Sequence, residues 1–147
     1  MSDTTLVRTR YAAQLGRLVT AGLPATVAAM ALTALAAVLL EALGVDLVVD
    51  GGEIPVAGFA TITGLFSVVG IVLAAALQRW SARPAESFVT IALSLTALSL
   101  VPPVLWGSAA DAVAGLVVLH LLAAAVMIPA LARSLRGLRP PGAPARG

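Results

Sequence analysis

Charged residues are absent from four long apolar runs of this chain and cluster between them. The runs fall at 18–40, 54–77, 87–106 and 113–132, and none contains Asp, Glu, Lys or Arg. A hydrocarbon core of roughly 30 Å needs about 20 apolar residues in a helix. Each run meets that length. Inside lipid, a lone segment can satisfy its backbone polar groups only as a helix. The pattern therefore predicts an all-α fold, an integral membrane four-helix bundle over 18–132. Residues 1–17 precede it as a short N-terminal segment. The tail 133–147 is rich in Pro, Gly and Arg without an apolar period, and it reads as disordered.

Composition narrows the class. Of 147 residues, 60% are hydrophobic and 11% charged, and the mean hydropathy is +1.03. Soluble domains of this size carry about a quarter charged residues. The chain has no Cys, which excludes disulfides, Cys-ligated zinc and iron–sulfur clusters.

The charges give a direction. Arg8, Arg10 and Arg17 precede the first run, Arg79 and Arg83 lie between the second and third, and Arg133, Arg136, Arg139 and Arg146 follow the fourth. The other two connections hold Glu41, Asp46, Asp50, Glu53 and Asp111 and no basic residue. Four spans put both tails and the middle connection on one side. The positive-inside rule makes that side cytoplasmic, N-in and C-in. The inner side then carries a net +7 and the outer side −5, which together make the formal +2. The sequence pI near 10.5 is thus a consequence of threading. Inner arginines attract anionic lipid headgroups. Nucleic acid is excluded as a partner, because the basic residues are scattered over three short segments with few aromatics.

Local punctuation agrees with the spans. Tyr11, Trp80 and Trp106 fall near their ends, at headgroup depth. Pro55 and Pro84 open the second and third spans, and Ser108 with Asp111 forms a capping-box pattern before the fourth. Pro24, Pro102, Pro103 and Pro129 should bend or end helices. The first run, 23 residues long, exceeds the apolar stretch of a signal peptide. Helices in lipid associate by close packing, so small residues mark contact faces. Ala21, Ala25, Ala29, Thr33 and Ala37 form such a stripe; Ala60 with Gly64 and Gly70 with Ala74 extend the pattern to the second span.

His120 is the one histidine and the one readily titratable residue inside a run. A polar side chain at that depth is costly unless paired. It lies about 10 Å in from the start of its run. Thr33, Thr61 and Ser99 occupy similar depths in the other three. The count predicts an intramembrane polar layer of His120, Thr33, Thr61 and Ser99. As a structural device it fixes helix register; as a site it would hold a proton or small ligand. Metal binding there is not expected, since no second His or carboxylate lies within the runs. A weaker candidate is the outer loop GVDLVVDGGEIPVAG. It resembles a strand and turn, and Asp46, Asp50 and Glu53 could hold a calcium-like cation, although their spacing fits no defined loop motif.

Three segments carry a resemblance to a known family. VDLVVDGGEIPVAGFATITGLFSVVG, RPAESFVTIALSLTALSLVP and VVLHLLAAAVMIPAL resemble, in this order and spacing, a family of small four-span actinobacterial membrane proteins catalogued as a domain of unknown function. The likeness spans roughly residues 21–131. The family often has a polar residue after LSLVP, where this chain has Pro103. The resemblance implies a four-helix bundle and supports the threading. It implies no activity.

The sequence thus predicts a multi-pass protein of the bacterial cytoplasmic (plasma) membrane, with both termini cytoplasmic. It contains no nucleophile–base pair and no phosphate loop, so a non-enzymatic structural or accessory component without a cofactor is expected. Its partners would be the bilayer and either further copies of itself or a larger membrane complex. The alternative is a small carrier or channel using the layer around His120.

Overall fold

The computed structural model describes residues 3–49, 52–106 and 109–137. Helix α1 runs Asp3–Ala42, α2 Val56–Trp80, α3 Pro84–Ser99, α4 Val101–Trp106 and α5 Ala110–Arg136. Two short strands, β1 (Val48–Val49) and β2 (Gly52–Glu53), pair antiparallel between α1 and α2. The result is a helical bundle. α1 packs along both α2 and α5, while α3 lies against α5 and α2.

Three helices are long and apolar enough to cross a membrane: Tyr11–Ala42, Val56–Trp80 and Ala110–Arg136. The large apolar side chains that face outward from them, such as Val27, Leu35, Leu65, Phe66 and Val72, would be an unusual surface in water and an ordinary one in lipid. This is a membrane protein. Its first helix begins well before the apolar run, since residues 3–17, expected as a separate segment, continue the same helix. At the other end α5 continues through Arg136. Residues 138–147, read as disordered, lie outside the described residues.

The third run differs from its expectation. One helix was expected over 87–106; two are found, meeting at Leu100. The reason is local. Pro102 and Pro103 have no N–H, so the carbonyls of Leu98 and Ser99 cannot receive their normal helical bonds. The last turn of α3 tightens instead, and Leu100 N–H donates to Ala97 O at 3.3 Å. In α4 the two prolines occupy the first turn, where no donor is needed. α3 alone has 16 residues, about 24 Å of rise.

Two apolar clusters fill the bundle. One holds Leu18, Ala29, Ala74, Phe88, Met127, Leu131 and Leu135. The other, toward the β1–β2 end, holds Ala37, Leu47, Phe59 and Leu119. The small-residue stripe of α1 is confirmed at Ala29, Thr33 and Ala37, which are at most 1% exposed. Below them the seam rotates. Gly22 and Thr26 are buried, whereas Ala21 and Ala25 are half-buried. A constant four-residue step advances about 400°, drifting off a straight contact line by about 40° each time. The three-residue step from Thr26 to Ala29 restores the alignment. At Gly22 a Cβ would stand 2.8 Å from Ile71 Cγ1 and Cδ1, so α1 and α2 meet there with no room for a side chain.

The connection after α1 closes one end of the bundle. Gly44 adopts φ +83°, the left-handed conformation that commonly ends a helix, and Val45 N–H donates back to Leu40 O at 3.0 Å. This turns the chain so that Leu47, 4% exposed, docks over Gly115, where a Cβ would meet Leu47 Cδ2 at 2.9 Å. The strand expected in VDLVV is present as β1, and Gly52–Glu53, expected only as part of the turn and return, forms a second strand paired with it. α2 then starts after Pro55, and α3 starts at Pro84. The capping box is corrected: the residue capping α5 is Ala109, with no side-chain cap bond, and Ser108 lies outside the described residues.

Candidate functional site

The four-member polar layer resolves into one pair on one side of the bundle and a different pair on the other. Ser99 sits at the last position of α3, where the proline pair ends the helix. Its Oγ lies 2.6 Å from His120 Nε2 on α5. Ser99 Oγ also lies 2.8 Å from Thr96 O. The hydroxyl has one hydrogen. Where it goes to Thr96 O, the imidazole Nε2–H is the donor to Ser99. Both residues are half-buried.

Thr33 is not part of that pair. It is 1% exposed; its Oγ1 lies 2.8 Å from Ala29 O and 3.2 Å from Thr63 Oγ1 on α2. Thr61, expected in the layer, is exposed and donates to its own helix at Ala57 O, 2.8 Å away. The physical reason is rotation. Counting residues from a span end fixes depth but not direction, and two positions along a helix differ by about 200°. Thr61 and Thr63 therefore point to opposite sides, and Thr63 faces α1. The inward face of α2 reads Phe59, Thr63, Ser67, Gly70 and Ala74, at steps of three and four. Projecting back from Gly70 and Ala74 would have found Thr63 and the buried Ser67.

Other polar contacts escaped the sequence reading. Thr26 is buried, donates to Gly22 O at 2.9 Å, and rests 4.0 Å from Met127 Sδ. Near the arginine-rich end, Gln78 Nε2 donates to Gln14 Oε1 at 3.1 Å, and the Arg79 guanidinium lies 5.4 Å above the Tyr11 ring. Such glutamines at helix contacts act as polar glue in lipid. Arg83 and Glu86 form an exposed ion pair at 3.3 Å, which contributes little to stability.

The acids of the connection between α1 and α2 are not brought together by anything described. Asp46 is exposed; Asp50 and the side chain of Glu53 lie outside the described residues. Among the described residues, no three His, Asp or Glu side chains converge as metal ligands. The connection also packs inward: Leu47 and Ile54 pack onto the second apolar cluster. A cleft of about 310 Å³ remains beside it, with Glu41 and Asp46 on its rim. A second, basic cleft of about 440 Å³ lies between α1 and α5 near Arg17 and Arg133.

The arrangement therefore offers packed helix seams in which Thr26 and Thr33 spend their hydroxyls on neighbouring carbonyls, and a Ser–His contact at the edge of the bundle. No curated protein and no solved structure matches the chain. The model of a family of unknown function, DUF6069, matches residues 13–137, nearly the whole bundle from α1 to the end of α5, and the chain belongs to that family.

Proposed function

We propose that this is a non-enzymatic accessory component of the bacterial plasma membrane, threaded four times with both termini in the cytoplasm, that packs with copies of itself or within a larger membrane assembly. The observation that carries this reading is how the interior is used. The buried hydroxyls Thr26 and Thr33 are spent on helix carbonyls and on neighbours across the seam. Meanwhile α2 turns Ile62, Leu65, Phe66, Val69 and Val72 outward. A packed interior and a long apolar outer face suit a helix-packing role. α3 and α4 together form the third of the four crossings in this reading. The threading is supported by nine arginines on one side of the pattern and five acids on the other.

Two measurements test it. A reporter active only in the cytoplasm, fused at Gly147, is expected to be active; a silent one, with an active periplasmic reporter at the same position, overturns the threading. The mass of the protein extracted in native lipid is expected to exceed that of one 14.7 kDa chain. A monomer that moves protons or solute across vesicle membranes overturns the accessory role. The 2.6 Å Ser99–His120 contact favours that second reading, a small carrier, because it is the one place where a titratable group meets a hydroxyl inside a span.

A further inference from the structure

Arg17 immediately precedes the first apolar run, and Arg133 immediately follows the last. Far apart in sequence, they line one cleft of about 440 Å³ between α1 and α5. Both side chains are exposed. Among the described residues the one ion pair is Arg83–Glu86, so no acid of this region neutralises either guanidinium. The C-terminal dipole of α5 offers Arg133 only a fractional negative charge, shared with Arg136. The cleft is therefore cationic at its rim.

Its lining changes along the helix axes. Thr20 spends its hydroxyl hydrogen on Arg17 O at 3.0 Å. Ser134, also in the wall, makes no side-chain hydrogen bond among the described residues, and its hydroxyl can donate to a ligand oxygen. About one helical turn from the arginines, toward the uncharged runs, Ala21 and Ala130 line the same cleft with methyl side chains. Basic lining followed one turn on by apolar lining, set at the boundary between charged and uncharged sequence, matches the change from headgroup to acyl chain in a phospholipid. A free phosphate would need the rim alone.

We propose that the α1–α5 cleft is a binding site for an anionic phospholipid. Arg17 and Arg133 hold the phosphate from two sides, Ser134 donates to it, and the first acyl carbons lie over Ala21 and Ala130. This rests on the reading that the arginine-rich end lies at an anionic leaflet, and it gives that end a defined lipid partner.

The test uses the purified full chain in neutral detergent, with bound lipid counted by native mass spectrometry during titration with phosphatidylglycerol, phosphatidylcholine or inorganic phosphate. Phosphatidylglycerol is expected to bind in preference to phosphatidylcholine, and millimolar inorganic phosphate is expected not to displace it. At about 1 kcal/mol per arginine, the Arg17→Gln/Arg133→Gln variant should bind about 30-fold more weakly. Arg83→Gln, on the same side but outside the cleft, should bind as the parent does. Ala130→Leu keeps both charges and fills the apolar part of the cleft, and it should also weaken binding. Circular dichroism confirms that each variant keeps its helices. Unchanged binding in the double variant, an equal loss in Arg83→Gln, or displacement by inorganic phosphate overturns the proposal. Lipid counts in detergent depend on neither threading nor partners, so a failed reporter fusion would leave this result intact.

Discussion

The α1–α2–α5 seam and the α3–α5 edge are built on different rules, although both join apolar helices. Along the seam, contact is continuous and the side chains are small. Gly22, Ala29, Thr33 and Ala37 let α1 approach its neighbours closely. The buried threonines there, Thr26 and Thr33, satisfy their own helix carbonyls, and the Gln14–Gln78 pair bonds across toward the arginine-rich end. At the edge, α3 is shorter and ends in a tightened turn, and its last residue makes the Ser99–His120 contact. Where packing is continuous, polar groups can be absorbed locally. Where a helix is broken by prolines, a side chain at the break is free to reach across.

That comparison can be broken most directly at the seam. Ala29 is fully buried, so Ala29→Leu adds three heavy atoms to a filled contact. It should destabilise the bundle by about 1–3 kcal/mol, read as a shift in unfolding midpoint in mixed micelles. An unchanged midpoint would mean that α1 is not closely packed. A smaller effect is expected from Thr33→Val, which keeps shape and removes one partner of the Thr63 contact. About 0.6 kcal/mol is typical for a polar contact between membrane helices. The double variant with Thr63→Val should cost little more than either change alone.

At the edge, His120→Leu is expected to cost roughly 0.5 kcal/mol, the low end for one lost hydrogen bond, because Ser99 keeps its contact with Thr96 O. His120→Gln, which can still bond, should lie nearer the parent. If both substitutions leave stability unchanged yet abolish a transport signal in vesicles, the edge is a site and the accessory reading fails. The smallest effect belongs to Thr61→Val. Thr61 is exposed, so the change should stay within about 0.5 kcal/mol, and a larger loss would place Thr61 at an interface with a partner.

Much of this was legible from residue order. The apolar runs gave the long helices, because run length and the need to bond every backbone group in lipid leave one solution. Pro55 and Pro84 marked helix starts, since a residue without an N–H costs nothing there. The β-branched VDLVV segment marked the first short strand. The stripe through Ala29, Thr33 and Ala37 identified the face of α1 that packs inward.

Depth along a helix is a count, and the sequence by itself determined it: His120 and Ser99 were placed at one level, and they meet. Direction around a helix depends on which neighbours it touches, and only the tertiary structure decided that. It turned Thr63 inward and Thr61 outward, moved the lower seam from Ala21 and Ala25 to Gly22 and Thr26, and brought Arg17 beside Arg133. It also folded Leu47 down onto Gly115. Each of these is a contact between residues distant in the chain, and it follows from the relative rotation of packed helices, which a one-dimensional pattern of apolar and polar residues does not contain.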